Sequence, residues 1–475
     1  MSNNQNIKNY FYNNKLLKKI SKMVHHKKHT EKNKTTTPTL KQTPTKSSSK
    51  SSSKSKTSSR NYTYIKKLIT QYYDNDAISN EYLKTAHKRT HIFLQQNRII
   101  VIGDIHGDLD MAITCLIKAN CIENIQLPAE RTVDNMDEFF NKLKWIGANT
   151  YIVQLGDQID RVRPQNWNRH DITNDEAYKD EGSTLEILYL FHYLDQLARE
   201  HQGRVFSIIG NHELMNVEGD FRYVSLEEFR SFKEHLEKVY HRKSKFPYHS
   251  RTLKNNQSKL SKHTKKYSNP FDNLPVGYRE RLYAFSPTGL CSNIIGANNY
   301  SMLQIGEWLF CHGSPVLNIV KKYKIDLINN VVAMYLLGIE ATGDQIEQSY
   351  DEIALSKSKN NIFWNRKFGE KKYENEEELC KDLDKILKAY NETNNTTNTT
   401  NTTNTNSTSA KYIAVGHTPQ FFHDKGINSI CDGKVWRCDV GMSKAFGINS
   451  DDRNRKPQIL EITINGDTKI INVIE

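Results

Sequence analysis

The chain has 475 residues, 37% of them hydrophobic, and its 67 Lys and Arg outnumber 54 Asp and Glu to give a formal net charge of +13. That length allows one large core with insertions or two domains, and the low apolar share implies that part of the chain never packs. The seven cysteines (Cys115, Cys121, Cys291, Cys311, Cys380, Cys431, Cys438) are scattered, odd in number and without a C-x-x-C pair, which argues for reduced thiols and against a disulfide framework.

The first 60 residues hold runs such as HHKKHTEKNK and KSSSKSSSKSKTSSR. So rich in Lys, Ser and Thr and so poor in apolar groups, they cannot recover their ordering entropy and are predicted to form a disordered basic tail. The plain reading is a solvated tail. The functional one is a weak contact with nucleic acid or another polyanion, or an import signal. The His25–His26 pair lies in this tail and carries no predicted chemistry. The opening MSNNQNIKNYFYNN has no apolar h-region, so no secretory signal is expected. The most apolar helical stretch, Leu327 to Ile339, is too short to span a bilayer and contains Asn329 and Asn330. A soluble, cytoplasmic or nuclear protein without membrane contact is expected. Residues 61–97 read as a helical lead-in and 98–475 as the main domain.

Within that domain one pattern recurs. Short apolar runs of strand type end in Gly or in a metal-competent side chain: RIIVI before GDIHGD, YIVQL before GDQIDR, VFSII before GNHE, WLFC before HGSP, YIAV before GHTP. Each fits a buried strand bounded by a functional loop. Helical spacing in LDMAITCLIKAN, from Asp108, and in STLEILYLFHYLDQLARE links the early strands. The second segment opens with a Ser-x-x-Glu capping signature, Ser183 and Glu186. Strand, loop and helix in alternation imply an α/β sheet with its loops at one end. Two polar insertions are expected, a basic loop at about 240–268 and an Asn-Thr repeat at about 391–409. Beyond them VWRCDVG, QILEITING and KIINVI read as closing strands.

The loop residues form a chemical set. Divalent cations of the manganese, iron or zinc kind take Asp oxygens and His nitrogens. A pair of cations ~3.5–4 Å apart needs a bridging carboxylate and open positions for water and phosphate. Asp104 and His106 share one loop, Asp157 is suited to bridge, and Asn211, His312 and His417 complete the set. A metal-bridging hydroxide for in-line attack on phosphorus is the chemistry such a pair supplies. His212 is placed to protonate a leaving oxygen, Asp160 to orient it, and Arg161 to clamp phosphate oxygens by a fork of donors. Any single His is more often structural, but the joint occurrence at successive strand ends is not. His192 and His423 lack that context and read as ordinary residues.

These blocks resemble the calcineurin-like metallophosphoesterases: GDxHG, GDxxDR, GNHE, a lone His and a Gly-His. GDIHGD, GDQIDR and GNHE are similar to the phosphoprotein phosphatase branch. GNHELMN, LYAFSPTG, FWNRKFG, VGHTPQ and CDVGMSKAFG are similar to its bacterial-type, Shewanella-like members. The resemblance runs from about Ile99 to Ile464. It implies an αββα sandwich, an α/β (α+β) fold with the metal site on loops at strand ends, and two divalent metal ions per subunit. Asp104, His106 and Asp157 would hold the first, and Asp157, Asn211, His312 and His417 the second. His212 would be the proton donor with Asp160 as partner. Arg161, Asn211 and, from the Trp-x-Arg block, Arg366 would bind phosphate. Two features depart from the pattern: HGSP replaces His-Gly-Gly after His312, and the SDP and SAPNY blocks of eukaryotic Ser/Thr phosphatases are absent.

The leading expectation is therefore a metal-dependent phosphomonoester hydrolase acting on phosphorylated proteins. The alternative is a hydrolase of small phosphorylated molecules such as dinucleoside polyphosphates. A third reading, from another class, is a nucleic-acid-binding or scaffolding protein with a vestigial metal site.

Overall fold

The computed structural model describes residues 63–163, 180–240, 274–340, 348–354, 360–370, 375–394, 409–446, 456–466 and 468–475. All of them belong to one compact unit, Asn61–Glu475. The predicted tail, its His pair, and most of both polar insertions lie outside the described residues. The flanks of those insertions are ordered. Tyr240 ends the helix Leu226–Tyr240 with its ring buried, and residues 391–394 complete the helix Glu376–Asn394.

Eleven strands form two mixed sheets among the described residues. In chain order they are β1 (Ile92–Phe93), β2 (Arg98–Ile102), β3 (Tyr151–Gln154), β4 (Arg204–Ser207), β5 (Met302–Ile305), β6 (Trp308–Cys311), β7 (Tyr412–Val415), β8 (Asn428–Ile430), β9 (Val435–Arg437), β10 (Ile459–Asn465) and β11 (Thr468–Ile474). The first sheet has the order β11-β10-β2-β3-β4, parallel across β2, β3 and β4 and antiparallel where β10 joins. The second runs β1-β5-β6-β7-β9-β8, parallel across β6, β7 and β9.

Strand periodicity sorts the core into layers. Ile99 and Val101 of β2 face inward with Val153, Phe206, Phe310, Ala414 and Leu460 to form the core between the sheets. Ile100 and Ile102, one residue out of phase, pack with Leu109, Leu116, Leu185 and Leu188 of the covering helices. Helices outside two stacked sheets make the expected αββα sandwich. The helix Tyr64–Tyr72 joins the outer core through Tyr64, Ile65, Leu68 and Tyr72, and β1 pairs in parallel with β5, so residues 64–93 are built into this body. No described helix is long and apolar enough to cross a membrane.

Two local readings need correction. The capping box does not form: Ser183 precedes the helix Thr184–Arg199, but Glu186 Oε1 accepts a 2.6 Å bond from the Tyr64 hydroxyl, and the Ser183 hydroxyl accepts one from Arg131. Tertiary partners outcompeted the local ones. Nor are all thiols free, because Cys380 and Cys431 are joined by a disulfide, whereas the other five cysteines are free and buried. Packing of the helix Glu376–Asn394 against the turn after β8 brings together two residues 51 positions apart, which spacing alone cannot reveal. The expectation of reduced thiols throughout therefore fails at this pair.

Candidate metal centre

The site sits where β2, β3 and β4 of one sheet and β6 and β7 of the other end side by side. Each strand delivers its residues within the next few positions: Asp104 and His106 after β2, Asp157 and Asp160 after β3, Asn211 and His212 after β4, His312 after β6 and His417 after β7. All eight are buried. Backbone strain marks the loops, since His106, Asp157, Asp160 and His417 all have positive φ (48°, 48°, 74° and 68°). Interloop bonds hold that geometry. Ile105 and His106 both donate to the Asp157 carbonyl, at 3.1 and 2.8 Å, and Gly107 donates to Gln158 at 2.9 Å. Gly210 is required because any Cβ there would overlap Asp157.

Asp157 is the hub. Its Oδ2 lies 3.9 Å from His106 Nε2, 3.8 Å from His212 Nε2 and 3.3 Å from His312 Nε2, while its Oδ1 accepts from the His212 backbone at 2.9 Å. Asp104 Oδ2 is 3.9 Å from His106 Nε2 and accepts the His417 backbone N–H at 3.0 Å. Two groups therefore have ligand atoms close enough to share one ion: His106, Asp157 and His212, and Asp157, His312 and His417.

The donor set fits a cation. His312 Nδ1 is 2.8 Å from the Leu155 carbonyl, and its Nε2 lies 2.9 Å from Asn211 Oδ1 and 3.3 Å from Asp157 Oδ2, so three groups able to ligate a cation face one another. His417 has neither ring nitrogen hydrogen-bonded although the ring is buried, and Asp439 Oδ2 is likewise buried without a partner. Electrostatics agree. Burial, with the Asp439 and Asp157 charges, holds the Asp104 carboxyl well above its usual range, and burial lifts Asp439 to about 6. Burial holds His106 and His417 well below the ordinary imidazole value, as neutral ligand-competent rings. For Asp157 burial pushes upward, but the neighbouring His312 imidazole, itself shifted upward by that carboxylate against its own burial, outweighs it and holds Asp157 well below the usual range. These are the properties of a divalent-metal centre.

Beside it stands the expected dyad. His212 Nδ1 is 2.8 Å from Asp160 Oδ2, so Nε2 is turned toward the centre. Asp160 is fixed from behind by Asn216 Nδ2 at 2.8 Å and the buried Arg281 at 3.3 Å. Glu228 receives the Asp160 and Arg161 backbone N–H groups, and Glu213 receives those of Asp157, Gln158 and Gly210, stapling the second loop to the third. These four supporting residues were absent from the sequence reading. Glu213 and Asn216 lay within the GNHELMN block and could have been found there. Glu228 and Arg281 carry no local signal.

The chain from residue 97 to 421 matches the profile of the calcineurin-like phosphoesterases. The protein belongs to that family. This calcineurin-like phosphoesterase is 26% identical over 406 residues to Shewanella-like protein phosphatase 2 of Arabidopsis thaliana, covering 82% of this chain and 80% of that one. It is 26% identical over 374 residues to Shewanella-like protein phosphatase 1 of Plasmodium berghei, covering 78% and 74%. Among solved structures, a cold-active protein tyrosine phosphatase of a psychrophilic Shewanella aligns with a TM-score of 0.46 at 17% identity, covering 82% of this chain and 83% of that one. As a calcineurin-like phosphoesterase the chain is a hydrolase of phosphoesters, and the capacity for metal agrees with the site just described.

The arginines of this calcineurin-like phosphoesterase divide. Arg366 lies on the His417 side, its guanidinium donating to the His417 carbonyl at 2.6 Å. Arg161 is turned into an acidic pocket instead. It pairs with Glu181 at 3.2 Å, donates to the Gly107 carbonyl at 3.2 Å and lies 3.9 Å from Asp108. Two of the histidines set aside remain away from the centre. His192 packs on Tyr72 and Gln196, and His423 ends a short turn after β7.

Proposed function

We propose that this chain is a phosphomonoesterase acting on phosphorylated proteins through two divalent cations of the manganese, iron or zinc kind. The observation that carries the reading is Asp157, whose Oδ2 lies 3.9 Å from His106 Nε2 on one side and 3.3 Å from His312 Nε2 on the other. Asp104, His106 and Asp157 would hold one cation, and Asp157, Asn211, His312 and His417 the other. Bound there, such cations polarise phosphoryl oxygens and acidify water.

The chain's own residues do the rest. With Nδ1–H given to Asp160, His212 keeps its transferable proton at Nε2 and passes it to the leaving oxygen. Asp160, held by Arg281 and Asn216, orients the ring. Arg366 meets phosphate oxygens at the rim. Relatives named as protein phosphatases support the protein-substrate part of the reading.

The test is a substrate panel on purified, Mn²⁺-loaded protein. Hydrolysis of p-nitrophenyl phosphate and phosphopeptides is expected. A dinucleoside polyphosphate preferred by more than about tenfold in kcat/KM, about 1.4 kcal/mol in the transition state, would make the enzyme a small-molecule hydrolase instead.

A further inference from the structure

A cavity of about 370 Å³ is lined by the turn Ala86–Lys88 and by the helices Thr184–Arg199 and Leu290–Asn298, and by none of the candidate metal ligands. Its size suits a small molecule, since ligand pockets run from ~300 to ~1,000 Å³. Its walls divide by chemistry. Leu188, Phe191 and Ile294 supply apolar surface, whereas Lys88, Arg89, Arg199 and Arg204 set four cations against one carboxylate, Asp195. That carboxylate is already committed. It accepts from Arg199 Nε at 2.8 Å, from Arg204 Nε at 2.9 Å and from the Val205 backbone at 2.8 Å.

Arg89 has no such partner. Its guanidinium carbon lies 4.3 Å from the Tyr300 ring centre, and its nitrogens donate to the carbonyls of Gly296 at 3.3 Å and Asn299 at 2.6 Å. Its charge also bears on the Tyr82 hydroxyl, which donates to Asn330 at 2.7 Å. These are neutral groups, and among the described residues no carboxylate pairs with Arg89. Beside it Asn299 lines the same cavity, is 8% exposed, and has no hydrogen-bond partner for Nδ2. A half-buried guanidinium and a buried amide donor left without anionic acceptors are costly, and a bound oxyanion removes that cost. Stacking on Tyr300 fixes the plane of the guanidinium for that contact. The apolar wall opposite calls for a ligand with an organic body.

Two lining residues tie the cavity to the loops of the metal centre. Gln158 directly follows Asp157, and its Nε2 donates to Ser207 Oγ, at the end of β4, at 3.0 Å. The Ser207 carbonyl accepts the Tyr300 backbone N–H at 2.9 Å, and the Tyr300 carbonyl accepts that of Ile209 at 2.7 Å, two residues before Asn211. The residue under Arg89 is thus bonded to the strand end that delivers Asn211 and His212. We propose that this cavity binds a small organic anion, a carboxylate or phosphate ester with an apolar body, on Arg89 and Asn299, and that its occupancy adjusts turnover at the metal centre through Tyr300, Ser207 and Gln158. Only the effect on turnover rests on the phosphatase reading above.

The probes are benzoate and phenylphosphonate, a carboxylate and a non-hydrolysable phosphorus oxyanion on the same body, titrated by calorimetry into full-length, Mn²⁺-loaded protein. The variants are Arg89→Met, which removes the cation, and Ala297→Phe, which fills part of the cavity without touching a charge. At least one probe should bind wild type with a dissociation constant below about 1 mM, and each variant should weaken it by about tenfold or more. Benzoate binding assigns the site to carboxylates, and binding of phenylphosphonate alone assigns it to phosphate esters. Saturating probe should change wild-type kcat for p-nitrophenyl phosphate by about twofold or more and leave both variants, whose turnover without probe matches wild type, unmoved. Weaker binding of both probes to wild type, or a smaller loss in the variants, overturns the site. So does a probe that raises KM alone and binds the variants as it binds wild type, because it then sits at the metal centre. Binding lost in the variants without any change in wild-type kcat overturns the effect on turnover. If Arg89→Met melts early, Ala297→Phe decides. Should wild type hydrolyse no phosphoester, the phosphatase reading fails by itself, and calorimetry still decides the site.

Discussion

The two sheets contribute unlike halves to one site. Loops leaving β2, β3 and β4 are locked before any ligand arrives. Glu213 and Glu228 take up five backbone N–H groups of the second and third loops, and Asp160 is pinned by Arg281. Loops leaving β6 and β7 are held largely by the backbone, through Gly313 to Ile362, Ser314 to Asn365 and Gly416 to His312, and they present the His417 ring packed on His312 and Trp364 with neither nitrogen hydrogen-bonded. One half is preorganised by its own carboxylates. The other is completed by what it binds. Preorganisation on the first side would keep the proposed general acid, His212, aligned between turnovers, while the second side can adapt to the cation it takes.

The largest effect should come from removing what the halves share. Asp157→Asn leaves both candidate groups without their common carboxylate. Metal content by elemental analysis should fall toward zero and turnover by about 10³-fold or more. His417→Ala should be milder and one-sided, taking the metal-to-protein ratio from the proposed two toward one. Equal loss of both metals in that variant would break the comparison. Next in size is the dyad. His212→Ala should lower kcat by about 10²–10⁴-fold with metal content unchanged, and Asp160→Asn by less, about ten- to hundredfold.

Chelation separates the halves without mutation. Amide exchange should accelerate around His312 and residues 416–418, while residues 157–161 and 210–216 keep their protection. Uniform acceleration would show that the carboxylate staples contribute little. The smallest effect on activity is expected far from the centre. Reducing Cys380–Cys431, which closes a loop across 51 positions, should lower stability by up to about 4 kcal/mol while kcat stays near its oxidised value.

Much of the centre was legible because each candidate ligand directly follows a buried strand. Once RIIVI, YIVQL, VFSII, WLFC and YIAV are read as neighbours in sheets, their C-terminal loops must converge. The supporting network was not legible to the same degree. Arg281 reaches Asp160 across 121 positions and Glu228 reaches it across 68, and nothing in their own segments announces it. Arg161 was read from the GDQIDR block as a phosphate clamp, and only the placement of Glu181 and Asp108 shows its guanidinium turned into an acidic pocket.

Sequence alone therefore determined the donor atoms, their order along the chain and the strands that present them, because these depend on residue type and a period of two. Tertiary structure decided which acids staple the loops, which cysteines meet and which carboxylates pair with Arg161. Those outcomes depend on distances between segments that no local pattern encodes. A buried charge is settled by whichever partner packing brings within about 4 Å.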